Sequence, residues 1–255
     1  MKIQKKFFII VIIVAVIIMG AVLAYIKIQP RPLVTDIELK EEILDKKDEI
    51  VNKANPKVEQ EYPMHKNITT TFFWVGEEPG EANKNISNLP SAWDEKWSES
   101  FGGVDDPKNR NGYVVANFTP KENPFYFALP YNDFDDNGKR KRNAKIIIPW
   151  ANSKQWEKHE SMCKNQWIKI DKGDRTAYAQ WEDVGPFGED DSAYVFGTAK
   201  PKSKINDNAG LDVSPAVKDF LGLSDIDKTN WQFIDVDDVP DGPWKEIITK
   251  SNYVD

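Results

Sequence analysis

The sequence predicts a mainly β domain, a small barrel with long loops and short helices, behind an N-terminal transmembrane helix and a helical spacer. Three observations carry this expectation. Short runs rich in Val, Ile, Thr and aromatic residues recur between clusters of Gly, Pro, Asn and Asp, the pattern of many short strands joined by turns. Phe7 to Ile26 is a nearly unbroken apolar run behind Lys2, Lys5 and Lys6. Between the two, apolar residues recur at seven-residue spacing rather than alternating. The chain divides accordingly into an anchor at 1–29, a spacer at 30–66 and a barrel at 67–255.

The apolar run of 20 residues is long enough to cross a bilayer as a helix. Its lysine flank predicts a cytoplasmic N-terminus and an extracytoplasmic domain. The alternative is a signal peptide cleaved after Ala24, which would leave a secreted protein. The run exceeds a usual signal core, which favours an uncleaved anchor. Pro30 and Pro32 then stop the helix. Thr35 and Glu38 fit a capping box, and Ile37, Leu44 and Val51 continue one apolar stripe. A solvated juxtamembrane helix over 35–54 explains that stripe; a short coiled coil is the alternative.

In the barrel region, strands are expected at Thr69–Val75, Tyr113–Phe118, Phe125–Leu129, Lys145–Ile148, Trp167–Ile170, Ala177–Trp181, Tyr194–Phe196 and Trp231–Val236. Short helical pieces are expected around Trp93 and Trp97. One helix is readable in detail. Ser214 can cap it, Pro215 suits the first helical position, Val217, Phe220 and Leu221 share a face, and Gly222 suits a left-handed end.

Composition bounds the function. The chain carries 34 basic and 41 acidic residues, and its first 29 residues hold four lysines and no acid. The remainder is therefore 30 basic against 41 acidic, a poor partner for nucleic acid, whose binding rests on basic groups at phosphates. One cysteine excludes an internal disulfide, and two histidines leave little for a metal centre. No metal or cofactor is expected. Asp133-Phe134-Asp135-Asp136-Asn137-Gly138 matches half of a calcium loop, but position twelve is Ala144, so it reads as an acidic turn.

The most specific stretch is Trp181 to Leu223. Asp183, Gly185-Pro186-Phe187, Leu211-Asp212-Val213-Ser214 and Leu221-Gly222 occur there in that order. The stretch resembles the signature of the rare lipoprotein A family, double-psi β-barrel proteins of the bacterial envelope related to expansins. Thr71-Phe72-Phe73-Trp74 resembles the family's first barrel strand, and Ala128-Leu129-Pro130-Tyr131 the segment after its catalytic histidine. Two positions depart from the pattern: Val184 stands for an arginine and Tyr126 for the histidine. The resemblance implies a six-stranded double-psi barrel. It also implies contact with peptidoglycan or another polysaccharide, and in some members lytic transglycosylase activity.

Asp183 is the catalytic candidate. Protonating a glycosidic oxygen needs a raised carboxyl pKa, which the flanking Trp181 and Phe187 would supply by excluding water. The competing reading is a turn residue that accepts backbone N–H groups before Gly185. Thr71, Tyr126, Trp181 and Asp212 are the substrate-binding candidates. Asp212 also suits a second role, stabilising the helix start two residues on. Three functions stay open at this point: a lytic transglycosylase-like enzyme, a non-catalytic expansin-like binding module, and an envelope scaffold for a protein partner.

Overall fold

The computed structural model describes residues 62–79 and 87–254. The membrane helix expected at Phe7–Ile26 and the spacer helix at 35–54 lie outside the described residues. Among the described residues no helix is long and apolar enough to cross a membrane.

Six strands close a mixed barrel: β1 (His65–Phe72), β4 (Tyr126–Leu129), β5 (Trp167–Lys172), β6 (Arg175–Val184), β7 (Ala209–Val213) and β8 (Ile226–Ile234). Their order around the barrel is β1-β7-β4-β6-β5-β8. A separate pair, β2 (Arg110–Asn111) and β3 (Val114–Val115), lies in the loop before β4. The β1/β7 and β4/β6 pairs are parallel and the other four are antiparallel. So β7 and β4 meet antiparallel, and each carries a parallel partner on its far side. Among the described residues four short α-helices accompany the barrel: α1 (Trp97–Phe101), α2 (Ala144–Ile147), α3 (Ser192–Val195) and α4 (Pro215–Leu221).

Alternation on β4 separates two apolar clusters. Phe127 and Leu129 point into the main core with Ile168, Trp181, Leu211 and Phe233. Tyr126 and Ala128 point the other way, where Tyr126 packs with Phe73, Trp97 and Phe101. Successive strand residues face opposite sides, so one short strand serves both clusters.

The α4 helix forms as its sequence predicts. The Ser214 hydroxyl accepts the Val217 N–H at 3.3 Å, Pro215 opens the helix, and Gly222 closes it at φ +68°. Two expected strands are helices instead. Lys145–Ile148 falls mostly in α2, where Ile146 is 86% exposed, although its β-branched run suits a sheet. Tyr194–Phe196 falls mostly in α3, where the Tyr194 and Val195 N–H groups donate to the Asp191 carbonyl. Its Tyr194 hydroxyl donates to the Gly210 carbonyl at 3.0 Å and accepts from Trp231 Nε1 at 2.9 Å, which docks the helix on the barrel. Of Tyr113–Phe118 only Val114–Val115 is strand.

Candidate functional site

The site is a lateral row of residues across four adjacent strands. Thr71 of β1 pairs with Asp212 of β7, Asp212 pairs with Ala128 of β4, and Ala128 pairs with Asp183 of β6. Residues paired across a sheet share a face. The small Ala128 thus separates two carboxylates whose backbones lie two strand spacings apart, about 10 Å.

Asp183 reaches this face through an irregularity. On β6, Trp181 pairs with Phe127, yet the next partner pair is Asp183 with Ala128, so Glu182 is an extra residue. Side chains alternate along a strand, and without the extra residue Asp183 would follow Trp181 into the main core. The bulge switches the alternation and aims the carboxyl outward, a known use of bulges beside functional sites. A second irregularity, between Thr69 and Thr70, makes Gly210 the extra residue opposite β1. A side chain there would meet Pro201 Cγ at 2.4 Å and the Tyr194 hydroxyl at 2.7 Å, so the crowding requires glycine.

The row lies along a groove of about 420 Å³ whose walls include Phe72, Phe73, Glu77, Asn88 and Phe187. Asp183 is only 7% exposed. Its Oδ1 accepts the Ala92 N–H at 2.7 Å and the Val184 N–H at 2.8 Å. Its Oδ2 has no hydrogen-bond partner among the described residues. Burial pushes the carboxyl up to about 7; the two N–H groups oppose this and the nearby Asp212 charge adds to it. Asp212 is half-buried, and burial also raises it to about 7, with Thr71 opposing and Glu77 adding. Thr71 Oγ1 donates to Asp212 Oδ1. Asp212 therefore turns its carboxylate to Thr71, whereas the sequence suggested a role at the helix start, where the Ser214 hydroxyl does the capping. The two carboxyl groups both titrate near neutral pH, and neither is committed to an ion pair among the described residues.

Of the sequence-derived candidates, Thr71, Asp183 and Asp212 meet in the groove. Trp181 and Tyr126 do not line it. Trp181 is fully buried, stacks on Phe127 with centroids 5.9 Å apart, and donates its Nε1 to the Asp183 carbonyl at 2.7 Å. It holds the backbone of the acid rather than offering a ring to a ligand. Tyr126 is fully buried in the smaller cluster, where its hydroxyl donates to Asp105 Oδ2 and accepts the Val75 N–H, both at 3.0 Å. No surface remains on it for a substrate contact. The aromatic wall of the groove is phenylalanine, with the partly buried Trp74 stacked on Phe72 at 5.7 Å.

Glu77, Asn88 and Asn206 also line the groove, and no motif in the sequence marks them. Asn88 Nδ2 donates to Glu77 Oε2 at 2.8 Å. These residues sit on loops, and no spacing in the sequence relates Glu77 to Asp212. The acidic turn is a structural device. Asp133 is fully buried, accepting from Ser161 Oγ at 2.7 Å and from the Met162 N–H at 2.8 Å. Asp135 accepts the Asn137 and Lys139 N–H groups, both at 3.0 Å. Among the described residues no group of three His, Cys, Asp or Glu is arranged to hold a metal ion.

Fold and groove thus define a class, a closed six-stranded mixed barrel bearing a buried and a half-buried carboxyl group, both raised to about 7, on one sheet face. No family model matches the chain, and no curated protein matches it in sequence.

Proposed function

We propose that the chain is an envelope protein of the double-psi barrel class akin to rare lipoprotein A and the expansins, and that it cleaves a cell-wall glycan with Asp183 as general acid. The single observation that carries this reading is the state of Asp183. A bulge aims it into a groove, burial raises it to about 7, and one carboxyl oxygen has no hydrogen-bond partner among the described residues. A carboxylic acid that holds its proton near neutral pH can donate it to a leaving oxygen. The closed six-strand barrel, with its parallel β1/β7 and β4/β6 pairs, suits the double-psi class.

In the proposed reaction Asp183 gives its proton to the glycosidic oxygen as the bond to the anomeric carbon breaks. A hydroxyl of the same sugar attacks the oxocarbenium-like centre. That hydroxyl's proton passes to the Asp183 carboxylate and restores the acid. Asp212 and Thr71 hold the sugar from the other end of the same row. Peptidoglycan is the proposed substrate, with the Phe7–Ile26 segment anchoring the domain on the extracytoplasmic side and nucleic acid excluded as a partner.

Two other readings have their own support. Asp212 supplies a second carboxyl across Ala128, and backbones about 10 Å apart leave room for water between the side chains, the requirement of an inverting hydrolase. The buried Tyr126 at the family's histidine position instead favours a binding module that does not cleave. Incubating the protein with purified peptidoglycan and analysing the soluble fraction by mass spectrometry separates the three. Anhydro-sugar ends support the proposal, ends that have gained water indicate a hydrolase, and co-sedimentation without release indicates a binding module.

A further inference from the structure

The domain carries one basic surface that the groove does not use. The run Lys139-Arg140-Lys141-Arg142, followed by Lys145 and Ile146, interrupts a chain of net charge -7. Its cations divide in two. Arg140 donates to the carbonyls of Glu157 and Glu160, and Lys141 donates to the Glu189 carbonyl at 3.1 Å, so both serve the fold. Lys139, Arg142 and Lys145 are exposed, and their side chains make no hydrogen bond or ion pair among the described residues. Beside them Ile146 is 86% exposed, far more than any other large apolar side chain among the described residues. Exposed acids also lie by this run: Asp136, nearest in sequence, and Asp190, which pairs with Lys141 at 3.4 Å; the Asp135 carboxylate is occupied by the turn.

The described domain begins at Tyr62, which is tied to the barrel. Tyr62 packs edge-on against Trp150, with centroids 6.0 Å apart, and against Phe233 at 5.9 Å. Gln232 Nε2 donates to the Tyr62 carbonyl, and the Tyr62 hydroxyl donates to Asp235 Oδ1 at 2.9 Å. Trp150 follows Ile146 by four residues. Ahead of Tyr62 lie 61 residues that include the apolar Phe7–Ile26 run.

We propose that Lys139, Arg142, Lys145 and Ile146 form a docking face for an anionic lipid bilayer, the three cations meeting headgroup phosphates and Ile146 entering the acyl boundary. Basic residues around an apolar side chain are the composition that binds anionic membrane surfaces, because charge attraction and apolar burial act together. A lone exposed isoleucine has no such use against a soluble polyanion. The choice of a bilayer over other anions rests on the anchored reading of the N-terminal segment. Docking would fix which side of the barrel faces the membrane and so limit how the groove meets its polymer.

The test uses the full-length chain carrying Ile146→Cys, labelled with a nitrobenzoxadiazole fluorophore. Cys163 is fully buried, which leaves the introduced thiol as the labelling site. Flotation with phosphatidylcholine vesicles reports the anchor. Emission of the label on vesicles with and without phosphatidylglycerol reports the docking face. The expected result is a blue shift only with the anionic lipid, reversed by high salt and abolished by Lys139→Gln, Arg142→Gln and Lys145→Gln together. A chain that floats on neutral vesicles while its label stays water-like on anionic ones keeps its anchor and overturns the docking face. If the chain does not float on neutral vesicles the anchor reading fails. Flotation on anionic vesicles then decides: loss in the triple variant supports the face, and no flotation of the parent overturns it. Retention on immobilised polyphosphate with an unshifted label on vesicles also overturns it, in favour of an anionic polymer.

Discussion

Replacing Asp183 by Asn should make the protein more stable at alkaline pH, not less. The carboxyl is raised from 3.8 to about 7, with burial the largest cause. Below the unfolded value of about 3.8 the group is protonated in both states and contributes nothing to the pH dependence. Between there and about 7 the folded state holds a proton that the unfolded state has released, so stability falls as pH rises. Above about 7 the full penalty is present. A shift of this size corresponds to about 4 kcal/mol as an upper bound, at about 1.4 kcal/mol per unit. Asparagine keeps the oxygen that accepts the Ala92 and Val184 N–H groups and removes the buried charge. At about 2–4 °C per kcal/mol for a domain of this size, the Asn variant should melt up to on the order of 10 °C higher at pH 8 and nearly level at pH 4. Differential scanning calorimetry across that range is the assay. A variant that melts lower than the parent at pH 8 would show instead that an ionised carboxylate stabilises the turn.

Three further outcomes follow from the same geometry. Thr71→Val removes the hydroxyl that favours ionised Asp212, so the Asp212 carboxyl should move above about 7, read by carboxyl NMR titration; an unchanged titration would show that the bond does not matter. Tyr126→Phe leaves Asp105 Oδ2 and the Val75 N–H short of a partner in a buried setting and should cost about 1–3 kcal/mol in urea unfolding, with glycan binding unchanged. Ser214→Ala loses the α4 cap and should cost about 1 kcal/mol, with the groove intact, measured in the same way.

What the sequence made legible follows from local physics. Ser214, Pro215 and Gly222 mark a helix because caps and left-handed ends depend on neighbouring residues alone, and α4 has those bounds. The strands β4, β5, β6 and β8 announce themselves by β-branched and aromatic runs. The segment 209–213 did not, because Ala209 and Gly210 carry no β signal and the segment is a strand only through its partners β1 and β4. Lys145–Ile148 and Tyr194–Phe196 had the composition of strands but no edge to pair with. At the site, Asp183 and Asp212 could be singled out, but their face could not. The bulge at Glu182 that turns Asp183 out of the core is a register between β4 and β6, some fifty residues apart. Trp181 and Tyr126 read as ligand contacts for the complementary reason: an aromatic residue beside a motif looks alike whether its ring faces a groove or a core.

Whether Asp183 donates a proton to a glycan is read from the rate of glycan cleavage in matched parent and Asp183→Asn proteins. Both proteins are first shown to be folded by calorimetry and to co-sediment equally with peptidoglycan. Fragment release is then followed by mass spectrometry over time. The expected result is release by the parent and a loss of about 10²–10⁴-fold in the variant, the scale of general acid assistance. Equal release by the two proteins, or none by the parent on any glycan it binds, would contradict it.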